Sequence, residues 1–103
     1  MSNINREHWR HYDQSATATL TAADTWSDAV QILGSFDFSL SGTWVGTITL
    51  QRSFDRGVTW VDVERYITNI QDGGNSSTVG VWFRAGFKTG EYTSGSAVVR
   101  ISQ

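Results

Sequence analysis

Two pairs of side chains have the types and spacing that metal chemistry uses. His8 and His11 stand three residues apart, a spacing that can bind a metal ion from one face of a helix. Asp62 and Glu64 stand two residues apart on a predicted strand, so their carboxylates should share one face. Both kinds of site need further ligands, and no others stand nearby in the sequence. We therefore predict surface histidines and a solvated acidic pair, without a metal or other cofactor.

The remaining sequence lacks the groups that enzymes use. Hydrolysis requires a nucleophile beside a base, or two carboxylates that face each other. Both histidines fall in the first eleven residues, cysteine is absent, and no glycine-rich phosphate loop occurs. The sequence predicts a protein that is not an enzyme.

A third constellation predicts a structural turn. Residues 53–60 form a short polar segment between two stretches in which apolar and polar residues alternate. In such a segment an aspartate accepts backbone hydrogen bonds, a glycine tolerates positive φ, and hydroxyls bridge the mouth of the loop. A tryptophan at its end can cover the turn. The expected hairpin depends on Ser53, Asp55, Gly57, Thr59 and Trp60.

Alternating residues predict the strands that hold this hairpin. Polar Thr68–Ser77 is predicted to be a flexible loop, and Ser41–Gly42 a turn. With no helical period present, the pattern indicates an all-β, antiparallel β-sandwich over residues 16–103. Seven strands are predicted: Ala16–Thr21, Trp26–Leu33, Phe36–Leu40, Thr43–Arg52, Val58–Tyr66, Val79–Lys88 and Ala97–Ile101.

Residues 1–15 show neither period and are predicted to form an N-terminal arm. The arm either packs on its own domain or lies on a neighbouring molecule. Five tryptophans, and seven arginines against one lysine, match the composition of protein interfaces and favour the neighbour. In that arrangement the tryptophan anchors the contact and the arginines flank it. The candidate interface residues are Arg6, Trp9, Arg10 and Tyr12.

The length and net charge of the chain limit the classes of partner that it could bind. A chain of 103 residues fits one domain. A net charge of −2 provides no basic patch for nucleic acid. No apolar stretch approaches the length of a membrane span, and the N-terminus does not resemble a secretion signal. We expect neither nucleic acid nor membrane as a partner, and we expect a protein that is not secreted.

Two local resemblances follow from these residues. The hairpin matches S-x-D-x-G-x-T-W and resembles the Asp-box, which recurs in sialidase-type propellers and occurs singly in many β-proteins. That resemblance implies a braced turn away from any active site. Residues 82–101 resemble the last two strands of fibronectin type III and Ig-like domains, in which the next-to-last strand carries aromatic-x-Arg.

A third resemblance concerns function. Residues 41–63 and 92–103 are similar to small virion proteins of tailed bacteriophages, which are typically single β-domains on the capsid, at the head-to-tail connection or along the tail. This resemblance implies a structural protein that is made in the bacterial cytoplasm, lies in the virion and assembles as a homo-oligomer with capsid, connector or tail subunits. The alternative is a carbohydrate- or host-surface-binding module. Its aromatic platform would be Trp82 with Arg84, or Tyr92 near Glu91.

Overall fold

The computed structural model describes residues 15–103, and for residues 77–79 it describes the backbone alone. The prediction of an all-β antiparallel fold is confirmed for this part of the chain, which contains no helix and hence no helix that could span a membrane. The strands form one sheet that does not close. They are β1 (Ser15–Leu20), β2 (Thr25–Trp26), β3 (Val30–Ser53), β4 (Val61–Tyr66) and β5 (Ile70–Ser102).

The two long strands, β3 and β5, are paired with each other over most of their lengths. The start of β3 lies opposite the first half of β5, and its later parts lie opposite residues 82–87 and 92–102. Two groups of segments result. One group runs β1, the end of β5, the middle of β3 and the start of β5. The other runs β4, the end of β3, the middle of β5, and then β2 with the start of β3.

Both groups contribute side chains to one apolar core. Phe38 and Phe87 are among its largest fully buried side chains. The rings of Phe36 and Phe83 lie 4.9 Å apart between centroids, a distance typical of a favourable aromatic pair. The core comprises Ala16, Leu20, Val30, Ile32, Phe36, Phe38, Leu40, Ile48, Leu50, Val81, Phe83, Ala85, Phe87, Ala97, Val99 and Ile101.

The predicted division into seven short strands is wrong, because glycines that suggested turns lie inside strands. Ser41 and Gly42 belong to β3. Gly42 has a φ of 95°, and a Cβ there would lie 2.4 Å from the carbonyl oxygen of Ser96. This glycine therefore permits a close approach of β3 to β5 and does not reverse the chain.

The prediction of a flexible loop over Thr68–Ser77 is also wrong from Ile70 onward, where β5 begins. Residues 70–76 pair with residues 34–40 of β3. Gly74 contributes to packing, because a Cβ at this position would lie 2.6 Å from the ring of Phe36. The polar composition reflects an edge of the sheet, where residues 71–73 and 75 are exposed even though the backbone is paired, while Ser76 is buried.

Candidate binding surface

The hairpin that connects β3 to β4 is closed by Ser53 and Asp55. The hydroxyl of fully buried Ser53 donates to Asp55 Oδ1 over 2.6 Å and accepts from the backbone N–H of Gly57 over 2.7 Å. The carboxylate of Asp55 also accepts from the N–H of Thr59 at 2.9 Å and from its hydroxyl at 2.5 Å. The turn is thus held from both ends.

These hydrogen bonds also set the charge state of the turn. The hydroxyls of Ser53 and Thr59 and the Thr59 N–H lower the pKa of Asp55 from 3.8 to about 2. Gly57 has a φ of 88°, and the Trp60 ring lies against it, 3.4 Å from where a Cβ would stand. The hairpin is therefore braced by an ionised carboxylate and covered by an indole.

Arg84, on the middle of β5, connects this hairpin to β2. Its guanidinium carbon lies 4.3 Å from the ring centroid of Trp60 and 4.2 Å from that of Trp26. Its Nε donates to Gln51 Oε1 over 3.0 Å. Burial lowers the pKa of Arg84, and the two rings supply cation–π contacts for the desolvated charge.

Asp62 on β4 is held in the same polar network. Its carboxylate accepts from Lys88 Nζ over 2.8 Å and from Gln51 Nε2 over 2.9 Å. These two bonds hold its pKa below the usual value. The neighbouring pair of Arg65 and Glu91 adds a second ion pair.

The prediction that Asp62 and Glu64 share a face is wrong. A β-bulge shifts the register of β4 between Leu50 and Gln51, so that Asp62 lies opposite Gln51 and Glu64 lies opposite Leu50. The two carboxylates consequently point to different sides of the strand. Within residues 15–103, no group of three potential metal ligands is found.

Exposed apolar side chains lie in the hairpin, along β4 and directly after it. Their exposed fractions are large, with Val58 reaching 80%. β4 lies at the end of the sheet and, in the described part of the chain, pairs only with β3. We call this run the hairpin–β4 surface; it consists of Phe54, Val58, Val61, Val63 and Ile67.

A cleft of about 180 Å³ opens between β4 and the start of β5. Its floor consists of the buried residues Phe36, Phe38, Leu50 and Phe83. Polar side chains stand around the mouth, which we call the rim: Arg52, Glu64, Tyr66, Asp72 and Asn75.

Two of the rim residues are joined. The Tyr66 hydroxyl donates to Asp72 Oδ2 over 3.2 Å. Partial burial and this acidic partner raise the pKa of Tyr66, so the phenol keeps its proton and its role as donor. The cleft thus combines an apolar floor with charged and hydrogen-bonding groups at its mouth.

The structure brings together two sets of residues that the sequence predicted separately. Trp82 lies opposite Ser53, and Arg84 stacks on Trp60, so the candidate surface residues and the hairpin form one region. Sequence reasoning missed Trp26, whose ring approaches Arg84 from the β2 side. No local signal links residues 58 positions apart, because only the β2–β5 pairing does so.

The other predicted residues have different outcomes. Tyr92 is not an open platform, since its ring packs 5.0 Å from that of Phe87 and its hydroxyl donates to the Gly95 carbonyl. The proposed interface residues of the arm lie outside the described residues: Arg6, Trp9, Arg10 and Tyr12.

Comparison with known proteins gives no relative. No family model, curated protein or solved structure matches the chain.

Proposed function

We propose that this protein is a structural subunit of a tailed-bacteriophage virion that binds other virion proteins through the hairpin–β4 surface. The observation that carries the proposal is the exposure of five large apolar side chains on one hairpin and its edge strand. Large apolar side chains that remain exposed along one segment of a chain are characteristic of protein–protein contact sites. Such contacts are the activity of a subunit in an assembly.

The support beneath this surface suits a fixed docking role. Asp55 and Ser53 hold the hairpin by side-chain hydrogen bonds, and Trp60 covers it. A rigid contact loses little conformational entropy on binding, so more of the interaction energy appears as affinity. We regard the hairpin as an Asp-box that braces the surface and does not itself react.

The finer parts of the proposal concern fold and partners. We propose that the two groups of segments form the two sheets of an Ig- or fibronectin III-like sandwich. We also propose capsid, connector or tail proteins as partners, association into homo-oligomers, and the virion as the site of action. These parts rest on the resemblance of residues 41–63 and 92–103 to small virion proteins.

Carbohydrate binding is the second candidate. The structure argues against Trp82 and Arg84 as the sugar platform, because the Arg84 guanidinium already contacts two rings and Gln51. A different region favours carbohydrate binding. There a depression of about 470 Å³ is lined by polar groups that include Asp37, Gln71 and Arg100. Binding of the wild-type protein to a glycan array, lost in Arg100→Ala, would support this candidate; a blank array would remove it.

Incorporation into particles tests the main proposal. Val58→Asp places a charge on the hairpin–β4 surface without touching the core, and we expect at least tenfold less protein to copurify with particles from the producing bacterium. Val45→Asp is the matched control, because Val45 is similarly exposed at 57% but lies elsewhere on β3. Equal incorporation of Val58→Asp and wild-type protein would overturn the proposal.

A further inference from the structure

The cleft between β4 and β5 has two consecutive glycines, Gly73 and Gly74, in its wall. A Cβ at Gly74 would meet the Phe36 ring, whereas one at Gly73 would have only a carbonyl oxygen nearby, at 3.7 Å. The aromatic floor is therefore reached from outside between two strand edges, neither of which is paired on this side in the described residues.

The size and chemistry of the cleft fit one aromatic side chain. An apolar cavity of ~150 Å³ accommodates benzene, so about 180 Å³ is enough for a ring. The floor offers the faces and edges of Phe36, Phe38 and Phe83. Glu64 and Asp72 place two carboxylates at the rim against the single guanidinium of Arg52, so the rim carries an excess of negative charge that favours cationic groups beside the ring.

Two segments of the chain carry an aromatic ring between arginines. Phe54 stands between Arg52 and Arg56, and the guanidinium carbon of Arg52 already lies 5.1 Å from its ring centroid. Trp9 is flanked by Arg6 and Arg10, and 14 residues precede β1. Among the other tryptophans, Trp26 and Trp60 contact Arg84. Trp44 packs on Phe87 and donates to Asn69.

The position of β1 favours a segment from a second copy. Ser15 and Gly73 lie in one row across the sheet, separated by three strand spacings, or about 14 Å. Six residues connect Trp9 to Ser15 and span at most about 22 Å. Most of that length would be used in crossing the outer face, which leaves too little to pass around the sheet edge to the cleft floor.

We propose that the β4–β5 cleft binds the Trp9 side chain of a second copy of this chain, with Arg6 and Arg10 beside the carboxylates of Glu64 and Asp72. This inference rests on the proposed assembly function and names one of its contacts. The N-terminal segment of each subunit then joins it to the next.

Photo-crosslinking between isotopically distinct copies tests this contact. Full-length protein with a diazirine side chain at Asn75, on the rim, is mixed with nitrogen-15-labelled full-length protein and irradiated. We expect mass spectrometry to find residues 6–10 of the labelled copy joined to position 75 of the unlabelled copy. Cross-links to the same copy, to other segments alone, or to none overturn the proposal.

Two matched variants complete the experiment. Trp9→Ala should lower the cross-link yield at least tenfold, and moving the diazirine to exposed Val45 should also abolish cross-linking to residues 6–10. An unchanged yield in Trp9→Ala contradicts the proposal. The cross-linking experiment can fail without refuting the assembly function. Val58→Asp tests incorporation without altering the cleft floor. If that variant loses incorporation while no cross-link forms, the assembly proposal stands and only the cleft contact is refuted.

Discussion

The hairpin and the cleft both contain aromatic rings and glycines, yet they use their polar groups differently. In the hairpin, Asp55 accepts three side-chain-mediated hydrogen bonds, and Arg84 nearby contacts two rings and an amide. In the cleft, the rings lie below an open space of about 180 Å³. The hairpin region therefore stabilises the fold, whereas the open cleft is available for contact.

The largest expected effect comes from removing a ring shared by the cleft and the core. Phe83 is 3% exposed and lines the cleft floor. Phe83→Ala should lower the free energy of unfolding by about 3–5 kcal/mol, because contacts are lost and a cavity is left. Urea unfolding measures the change.

Phe54→Ala serves as the control for that substitution, since Phe54 is 59% exposed. It should change stability by less than ~0.5 kcal/mol. A similar loss in both variants would break the distinction between a structural floor and an exposed contact surface.

The next effect concerns the Arg84 stack. Arg84→Ala should lower the free energy of unfolding by about 1–3 kcal/mol, because two cation–π contacts and the bond to Gln51 disappear. A shift of tryptophan fluorescence should accompany it. Arg100→Ala, on the exposed end of β5, should be nearly neutral. An Arg84 variant as stable as the Arg100 variant would show that the stack contributes nothing.

A smaller effect is the acid sensitivity of the hairpin. The pKa of Asp55 is about 2 in the folded protein, against 3.8 for an aspartate without these hydrogen bonds. Between these values the unfolded chain binds more protons, so stability falls as pH drops from about 4 to 2. Thermal unfolding across this range should show the loss, and Asp55→Asn should flatten that part of the curve. A wild-type midpoint independent of pH in this window would refute the assignment.

The smallest effect on stability is expected for filling the cleft from its mouth. Val63 is 42% exposed and lines the opening. Val63→Phe should change the free energy of unfolding by less than ~0.5 kcal/mol, since the new ring occupies open space. The same variant should lose the cross-link from Asn75 to residues 6–10 of a second copy. A cross-link retained at full yield would mean that the ring-sized space is not the contact.

Some determinants of the structure are local in sequence. The hairpin side chains lie within eight residues, so their hydrogen bonds follow from the turn itself. The prediction failed where strand pairing decides which face a side chain occupies. The β-bulge in β4 places Asp62 and Glu64 on different faces, and nothing in the sequence indicates this bulge. Glycines misled for a related reason, because Gly42 and Gly74 allow close packing, a use that composition does not distinguish from a turn.

The cleft could not be predicted from the alternation of apolar and polar residues. Its floor and rim come from β3, β4 and β5, and the space between them depends on which edges remain unpaired. Trp26 and Arg84 are likewise joined only by strand order. Non-local pairing therefore determines the contact surface, while local sequence determines its support.

Incorporation and thermal stability, measured together on Val58→Asp and Asp55→Asn, separate the contact surface from its structural support. We expect Val58→Asp to keep its unfolding midpoint and to lose incorporation into particles. We expect Asp55→Asn to lose thermal stability yet to be incorporated, once folded, as well as the wild type. The opposite pattern, with incorporation dependent on Asp55 and indifferent to Val58, would contradict it.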